Sequence, residues 1–333
     1  MNIAIVKLSS LGDVIHAMPV LGALRAARPE ARLTWIVELR ESAILRDHPE
    51  LDAVIPVDTR RWRGMLLSPR GLGRVASDLR ELRGRMRRAR FDVAIDLQGL
   101  IKSGLLTALT GAPLRIGFAA ARCWEPLNAL FTNRRVRPPA GARHVIDQYQ
   151  ALLAPLGVGA GAVSFRIPTS AAAEARMDEF FAAQGLTPRD HVVALCPGAR
   201  RPNKRWPVHH FRTLADRLSG DTGARALVVW GPGERDLARG IATGLWSRPV
   251  LAPPTDLDEL GALLRRCSVL IAGDTGPLHL AAAVGTPAVG LFGPTPAERN
   301  RPWGPRGRGL QSPDGLMASI APDAVLDTAV EFL

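Results

Sequence analysis

The sequence predicts an α/β protein made of two Rossmann-like domains joined by a linker. Three observations carry this. The chain has 333 residues, which suits two domains of roughly 150 residues each. Short apolar runs alternate with longer amphipathic stretches, the pattern of strands linked by crossover helices. The alternation stops in a stretch rich in Gly, Ala and Pro, residues 154–169, and then restarts.

In the first half, residues 3–6, 33–37, 53–57, 93–97 and 115–118 read as strands. Ser9-Ser10-Leu11-Gly12-Asp13 reads as a loop, and residues 14–27 as one helix. Residues 59–90 form a basic insertion. In the second half, residues 191–196, 226–230, 269–272 and 288–292 read as strands. Helices begin near Val208, Arg235, Asp256 and Pro277. The domains are placed at 1–160 and 170–315. Residues 316–333 read as a C-terminal helix that can pack back on either domain and is assigned to the first. Folds of this kind hold ligands at the carboxyl ends of their strands, in the cleft between domains.

Composition narrows the class. Hydrophobic residues make up 47% and charged residues 22%, which fits a globular chain and excludes disorder. The net charge is +12 and uneven. Residues 1–150 hold 24 Lys and Arg against 14 Asp and Glu, whereas residues 151–333 hold 19 against 17. The first half therefore expects an anionic partner: nucleic acid, phospholipid headgroups or a phosphorylated substrate. Three scattered cysteines without a C-x-x-C argue against a zinc site or redox pair and fit a reducing cytosol. The N-terminus reads as a strand and not as a signal peptide. No apolar run is long enough to span a bilayer, so any membrane association is expected to be peripheral.

Five segments carry chemistry. In Gly273-Asp274-Thr275-Gly276-Pro277-Leu278-His279, a buried strand turns into a helix whose first amides are unpaired. That is a ready site for phosphate oxygens, with Thr275 as a hydroxyl donor, Gly276 permitting close approach and His279 on the first turn. The competing reading makes Asp274 an N-cap. Cys196-Pro-Gly-Ala-Arg-Arg-Pro-Asn-Lys204-Arg-Trp206-Pro207 follows another buried strand, and Lys204 can neutralise a diphosphate. Its alternative is a solvated basic loop with Trp206 as filler. In Trp230-Gly-Pro-Gly-Glu234, Glu234 suits ribose hydroxyls or a helix cap. In Lys7-Leu-Ser9-Ser10-Leu-Gly12-Asp13, Asp13 is either a base for an attacking hydroxyl or a cap for the helix that follows. Arg60-Arg61-Trp62-Arg63 offers guanidinium forks for phosphate or carboxylate and an aromatic for a sugar or acyl chain. The arginines at 80–90 read as a solvated face or a membrane-surface patch. Asp256-Leu-Asp258 spells a metal-binding D-x-D but reads as an acidic first helical turn. No P-loop and no fitting G-x-G-x-x-G occurs.

Together these segments resemble the ADP-heptose:lipopolysaccharide heptosyltransferases, along nearly the whole chain. The opening Ile-Val-Lys-Leu-Ser-Ser-Leu-Gly-Asp-Val-Ile-His, the segment from Gly273 to His279 and Leu-Phe-Gly-Pro-Thr are similar to the family's segments. Arg60-Arg-Trp-Arg63 and Asp96-Leu-Gln-Gly-Leu-Ile-Lys-Ser103 look like heptosyltransferase I, while Cys196-Pro-Gly-Ala…Lys204-Arg-Trp-Pro resembles heptosyltransferase II. Two Rossmann-like halves with a linker also describe the GT-B architecture, in which two such domains face each other across a cleft.

The resemblance implies an inverting transfer of heptose from ADP-heptose to Kdo of Kdo-lipid A in inner-core synthesis. The alternatives are addition of the second heptose or a GT-B-like nucleotide-sugar epimerase. It implies Asp13 as catalytic base. Lys204, Glu234, Asp274, Thr275, Gly276 and His279 would bind the donor. Ser10, Arg60, Arg61, Arg63, Gln98 and Lys102 would bind the acceptor. No cofactor or metal is implied beyond the donor, and no nucleic-acid partner. The place implied is cytoplasmic, peripheral on the inner face of the inner membrane. Ala199 and Arg200 stand where heptosyltransferase I carries hydroxyl residues, so phosphate contacts there would fall to backbone amides.

Overall fold

The computed structural model describes residues 1–65 and 68–333. The chain divides into two compact units, Met1–Phe165 and Arg166–Leu333. The division lies inside the Gly-, Ala- and Pro-rich stretch.

The first unit is a six-stranded parallel sheet with β1 (Asn2–Val6), β2 (Arg32–Glu38), β3 (Ala53–Val57), β4 (Val93–Asp96), β5 (Leu114–Phe118) and β6 (Arg134–Val136). The strand order is β3-β2-β1-β4-β5-β6, and every pairing is parallel. Its helices are α1 (Leu11–Ala17), α2 (Pro19–Ala27), α3 (Thr59–Met65), α4 (Pro69–Ala89), α5 (Ile101–Leu109) and α6 (Val145–Ala151). Ile3, Ala4, Ile5 and Val6 of β1 are all fully buried, as expected where helices cover both faces of a parallel sheet. The order reverses between β1 and β4, so their carboxyl ends flank the switch point where α/β folds open a crevice.

Two expectations need correction here. The single helix expected over 14–27 is two helices, and it starts earlier, at Leu11. Pro19 has no N–H to continue the first helix and instead opens the second. The basic insertion is two helices, α3 and α4. On α4, Val75, Leu82 and Met86 are buried while Arg80, Arg83, Arg85, Arg87 and Arg88, with Arg90 just after it, are exposed, so the later arginine run is a face turned away from the core.

The second unit is also a six-stranded parallel sheet: β7 (Val192–Cys196), β8 (Arg225–Val228), β9 (Val250–Leu251), β10 (Val269–Gly273), β11 (Ala288–Phe292) and β12 (Gly307–Gln311). Their order is β12-β11-β10-β7-β8-β9. Its helices are α7 (Ala171–Ala183), α8 (Val208–Thr222), α9 (Arg235–Ala242), α10 (Leu257–Arg265), α11 (Gly276–Val284), α12 (Ala297–Asn300) and α13 (Pro322–Val330). The switch point lies between β7 and β10. Gly223, at φ 72°, closes α8 in the left-handed conformation that favours glycine.

The C-terminal helix, assigned to the first domain, belongs to the second unit. Val325, Leu326 and Ala329 of α13 join the core of the second unit, where the helix lies against α8. Their apolar spacing is satisfied by that core. The edge strands β6, β9 and β12 were not expected.

Candidate functional site

In the first unit, the loops at the switch point converge on Asp13. Ser10 is the N-cap of α1, and Asp13 is the third helical residue. The Asp13 carboxylate reaches back to accept hydrogen bonds from the Ser10 amide at 3.0 Å and the Ser10 hydroxyl at 2.7 Å. Asp13 therefore forms a capping box with Ser10 at the head of the helix, and a third of its side chain stays open to solvent. Lys7 Nζ stands 3.8 Å from Asp13 Oδ1. That lysine is buried, donating to Tyr149 Oη at 2.7 Å and to the Leu97 carbonyl at 3.3 Å.

Gln98 is engaged with the loop before α1. Its Oε1 accepts from the Leu8 and Ser9 amides at 3.0 and 3.3 Å, and its Nε2 donates to the Ser9 carbonyl at 2.8 Å. It holds the loop that carries Ser10 and Asp13. Asp96 holds Gln98 in turn. It is fully buried and accepts from the amides of Gln98 and Gly99, from Ser103 Oγ and from Asn128 Nδ2. Burial raises its carboxyl above the usual range, although all four donors pull the other way.

Lys102 donates to Glu38 Oε1 at 3.2 Å and lies 3.4 Å from Thr59 Oγ1. Glu38 is buried and also accepts from the Thr59 amide at 3.1 Å and from the Thr59 hydroxyl. The pair pins the start of α3 to the end of β2. On α3, Arg60, Arg61 and Arg63 are exposed. Arg61 Nη1 lies 3.9 Å from Asp78 Oδ2. Trp62 is partly buried against the core, with its Nε1 donating to Asp78 at 3.1 Å.

In the second unit, β10 ends at Gly273 and α11 begins at Gly276 with Pro277 in its first turn. Thr275 is the N-cap, but its hydroxyl turns back to the Gly273 carbonyl at 3.1 Å, and no side chain caps the helix. The first amides of α11 are thus open to an anion. Asp274 does not cap the helix either. Its Oδ2 accepts from Lys204 Nζ at 2.6 Å and from Asn300 Nδ2 at 3.4 Å, and its Oδ1 lies 3.2 Å from His279 Nε2. Burial opposes the charge on Asp274, but His279 and Lys204 outweigh it and hold the carboxyl well below the ordinary carboxylate range. Lys204 and His279 are therefore ordered around a carboxylate rather than pointing independently at an anion.

Glu234 is the N-cap of α9, and its Oε2 accepts from the Gly231 amide at 3.0 Å. The carboxylate lies directly over Gly198, where an added Cβ would fall 1.9 Å from Oε2. That brings the loops after β7 and β8 together. Cys196, beneath them, has its thiol pushed up to about 12 by burial and by Glu234, so it is no nucleophile. Trp206 is buried filler, as expected, with its Nε1 donating to the Ile320 carbonyl at 2.9 Å. Asp256 caps α10 by accepting from the Glu259 amide at 2.8 Å, and Asp258 accepts from the Ser170 amide at 3.0 Å. Both carboxylates of the D-x-D accept from backbone amides, Asp256 within its own helix and Asp258 from Ser170, 88 residues away in sequence.

Sequence reasoning passed over Lys7, Glu38 and Asn300. Lys7 and Glu38 share one available signal: each is a charged residue at the carboxyl end of a largely apolar strand run. Asn300 carries no such mark.

The glycosyltransferase family 9 (heptosyltransferase) model matches residues 79–321. The chain is 34% identical over 296 residues to lipopolysaccharide heptosyltransferase 1 of Pseudomonas aeruginosa, an alignment covering 89% of this chain and 79% of that protein. The fold is similar to that of a family 9 glycosyl transferase from Veillonella parvula, with a TM-score of 0.84 at 25% identity over 99% of this chain and 96% of that one. It is also similar to Escherichia coli heptosyltransferase WaaC with ADP, with a TM-score of 0.81 at 28% identity over the full length of both chains. Two parallel-sheet Rossmann-like units, each with a polar cluster at its switch point, and a family match over most of the sequence lead to one assignment: the chain is a GT-B-type glycosyltransferase belonging to glycosyltransferase family 9, the heptosyltransferases.

Proposed function

We propose that this enzyme transfers heptose, with inversion, from ADP-heptose to a Kdo hydroxyl of Kdo-lipid A in lipopolysaccharide inner-core synthesis. One observation carries the donor half of the reading: the Lys204–Asp274–His279 cluster beside the uncapped head of α11. A cation held by a buried carboxylate next to unpaired amides suits a diphosphate. Similarity to heptosyltransferase 1 and to a relative with ADP supports the same choice.

The second unit supplies the donor site. Its α11 amides and Lys204 would stabilise negative charge growing on the departing ADP, and Glu234 would take the ribose hydroxyls. The first unit supplies the acceptor site and the base. Asp13 would remove the proton from the Kdo hydroxyl as the oxygen forms its bond to the anomeric carbon and the bond to the ADP oxygen breaks. Lys7 would hold the carboxylate in place. Arg60, Arg61, Arg63 and Lys102 would meet acceptor carboxylates and phosphates. No metal enters the scheme. The enzyme would work in the cytoplasm, peripherally on the inner face of the inner membrane.

The test is a mass-spectrometric transfer assay with ADP-heptose and Kdo-lipid A. It is run beside UDP- and GDP-sugars, beside an acceptor already carrying one heptose, and with a chelator. The reading expects one heptose added to Kdo-lipid A from the ADP sugar, chelator present or not. Transfer only to the heptosylated acceptor would establish the second-heptose reading, which the Cys196–Pro207 segment favours. Conversion of the donor without acceptor would establish an epimerase.

A further inference from the structure

The first unit displays an apolar ridge that its own core does not use. Pro126–Phe131 is a 3-10 turn. At three residues per turn, positions three apart stand one above the other, so Leu127 and Leu130 share a face. Asn128 and Ala129, facing the other way, are buried. Leu127 is 60% exposed, Leu130 71%, and Trp124, three residues earlier, 72%. Leu105, on the helix α5 that packs against this turn, is 53% exposed. Single exposed apolar residues are ordinary, but three on one packed pair of elements, with Trp124 just before the turn, are not.

The ridge is held firmly. Glu125 accepts from the Ile101 amide at 2.6 Å. Asn128 Nδ2 donates to Asp96 at 2.6 Å and to the Leu100 carbonyl at 2.8 Å. Gly104 of α5 lies so close to Phe131 that an added Cβ would fall 2.5 Å from the ring. The surrounding charge has one sign. Residues 111–143 contain six arginines against the single acid Glu125, which is already bound to the backbone. Arg122, Arg134, Arg135 and Arg137 are exposed.

We infer that this ridge is a docking surface for an anionic lipid bilayer: Trp124, Leu127 and Leu130 enter the headgroup boundary while the flanking arginines meet lipid phosphates. A rigid apolar ridge with a cationic rim has the chemistry of an interfacial anchor, in which buried apolar area and attraction to anionic headgroups add. The place of the ridge fits an enzyme working on a lipid-borne acceptor. Gly99 packs against Cys123 and Trp124, and its carbonyl accepts from the Glu125 amide at 3.1 Å. Gly99 follows Gln98, which braces the Ser9 loop. The ridge therefore stands on the rim of the sheet end that carries Asp13. This inference rests on the acceptor being lipid-borne, but its test needs neither acceptor nor donor.

The full chain is co-sedimented with vesicles of mixed phosphatidylethanolamine and phosphatidylglycerol, and with vesicles of phosphatidylcholine alone. The wild type should bind the anionic vesicles and leave the neutral ones. Replacing Trp124→Ala, Leu127→Ser and Leu130→Ser together should cut the bound fraction at least about tenfold. Its thermal melt and its turnover on detergent-solubilised acceptor should stay unchanged. A second variant, Arg134→Gln with Arg135→Gln, should weaken binding only to the anionic vesicles. Wild-type binding by the triple variant, equal wild-type binding to both lipids, or no binding at all would overturn the inference. A dimer in sedimentation velocity that the triple variant dissolves would also overturn it, because the ridge would then cover a second copy. Absent turnover in detergent with intact vesicle binding would count against the transfer reading alone.

Discussion

Asp13 is a carboxylate with two functions in one geometry. Its bonds to Ser10 order the head of α1, and Lys7 Nζ stands 3.8 Å from its Oδ1. If it is the base, Asp13→Ala should lower kcat by roughly a hundred- to ten-thousandfold while ADP affinity by calorimetry stays within a factor of about two. A residue serving only as a brace would instead lower the melting temperature and leave kcat nearly intact. Asp274 makes a different prediction. Its folded carboxyl lies below the ordinary range, so the folded state holds fewer protons than the unfolded chain as the pH falls through the carboxylate region. The stability it contributes is complete above the unfolded pKa, about 4, and is lost as pH drops toward the folded value. Asp274→Asn should therefore destabilise the protein at pH 7, by about 3 kcal/mol for breaking a buried pair. The gap between variant and wild type should close below about pH 4. Urea titrations across that range measure it, and a gap that stays constant with pH would show that charge is not the cause.

At the scale of elements, the two switch points do the positioning. The loops after β7 and β8 meet because Gly198 has no side chain under the Glu234 carboxylate. Gly198→Ala should force Glu234 off the Gly231 amide. If Glu234 holds the ribose, KM for the donor should rise about tenfold, the loss of one charge-assisted hydrogen bond, with kcat little changed. An unchanged KM would return Glu234 to a purely capping part. The central strands were legible because burial on both faces leaves runs such as Ile3-Ala-Ile-Val6 with no polar residue. The edge strands β6, β9 and β12 were not, although the edge strand β3 was. Arg134-Arg-Val136 and Gly307-Arg-Gly-Leu-Gln311 need only one apolar face, so their composition resembles loop. The break at Pro19 was legible in principle, since proline cannot continue a helix, but the apolar spacing continues across it and hides the break. The site residues divide the same way. Asp274, Lys204 and Asp13 follow buried strands and stand out by position. The engagement of Gln98 with the Ser9 loop, and of Lys7 with Tyr149, joins residues 89 and 142 positions apart and has no local trace.

For the whole molecule, the division of charge follows the division of structure. Residues 151–165 carry no charge, so the unit Met1–Phe165 keeps all 24 basic and 14 acidic residues of the first half, and Arg166–Leu333 keeps 19 and 17. The unit proposed to take the acceptor is thus strongly positive, and the unit proposed to take the donor is nearly neutral. Within the second unit, the cation at the proposed phosphate site is local and partly buried: Lys204 has a side chain 18% exposed and a carboxylate partner at 2.6 Å. The arginines of α3 and of residues 122–137 are exposed instead. Exposed charges acting over distance are screened within a Debye length, about 10 Å at 0.1 M salt, whereas buried pairs are screened much less. Salt should therefore separate the two substrates. Raising ionic strength from about 0.05 M to about 0.5 M should raise KM for Kdo-lipid A in detergent several-fold, because steering and docking of the phosphorylated acceptor weaken. KM for ADP-heptose should move by less than about twofold over the same range. Steady-state kinetics with each substrate varied in turn gives both numbers. Equal salt sensitivity of the two would mean that the positive charge of the first unit acts on neither substrate selectively, and the asymmetry would then be a matter of solubility.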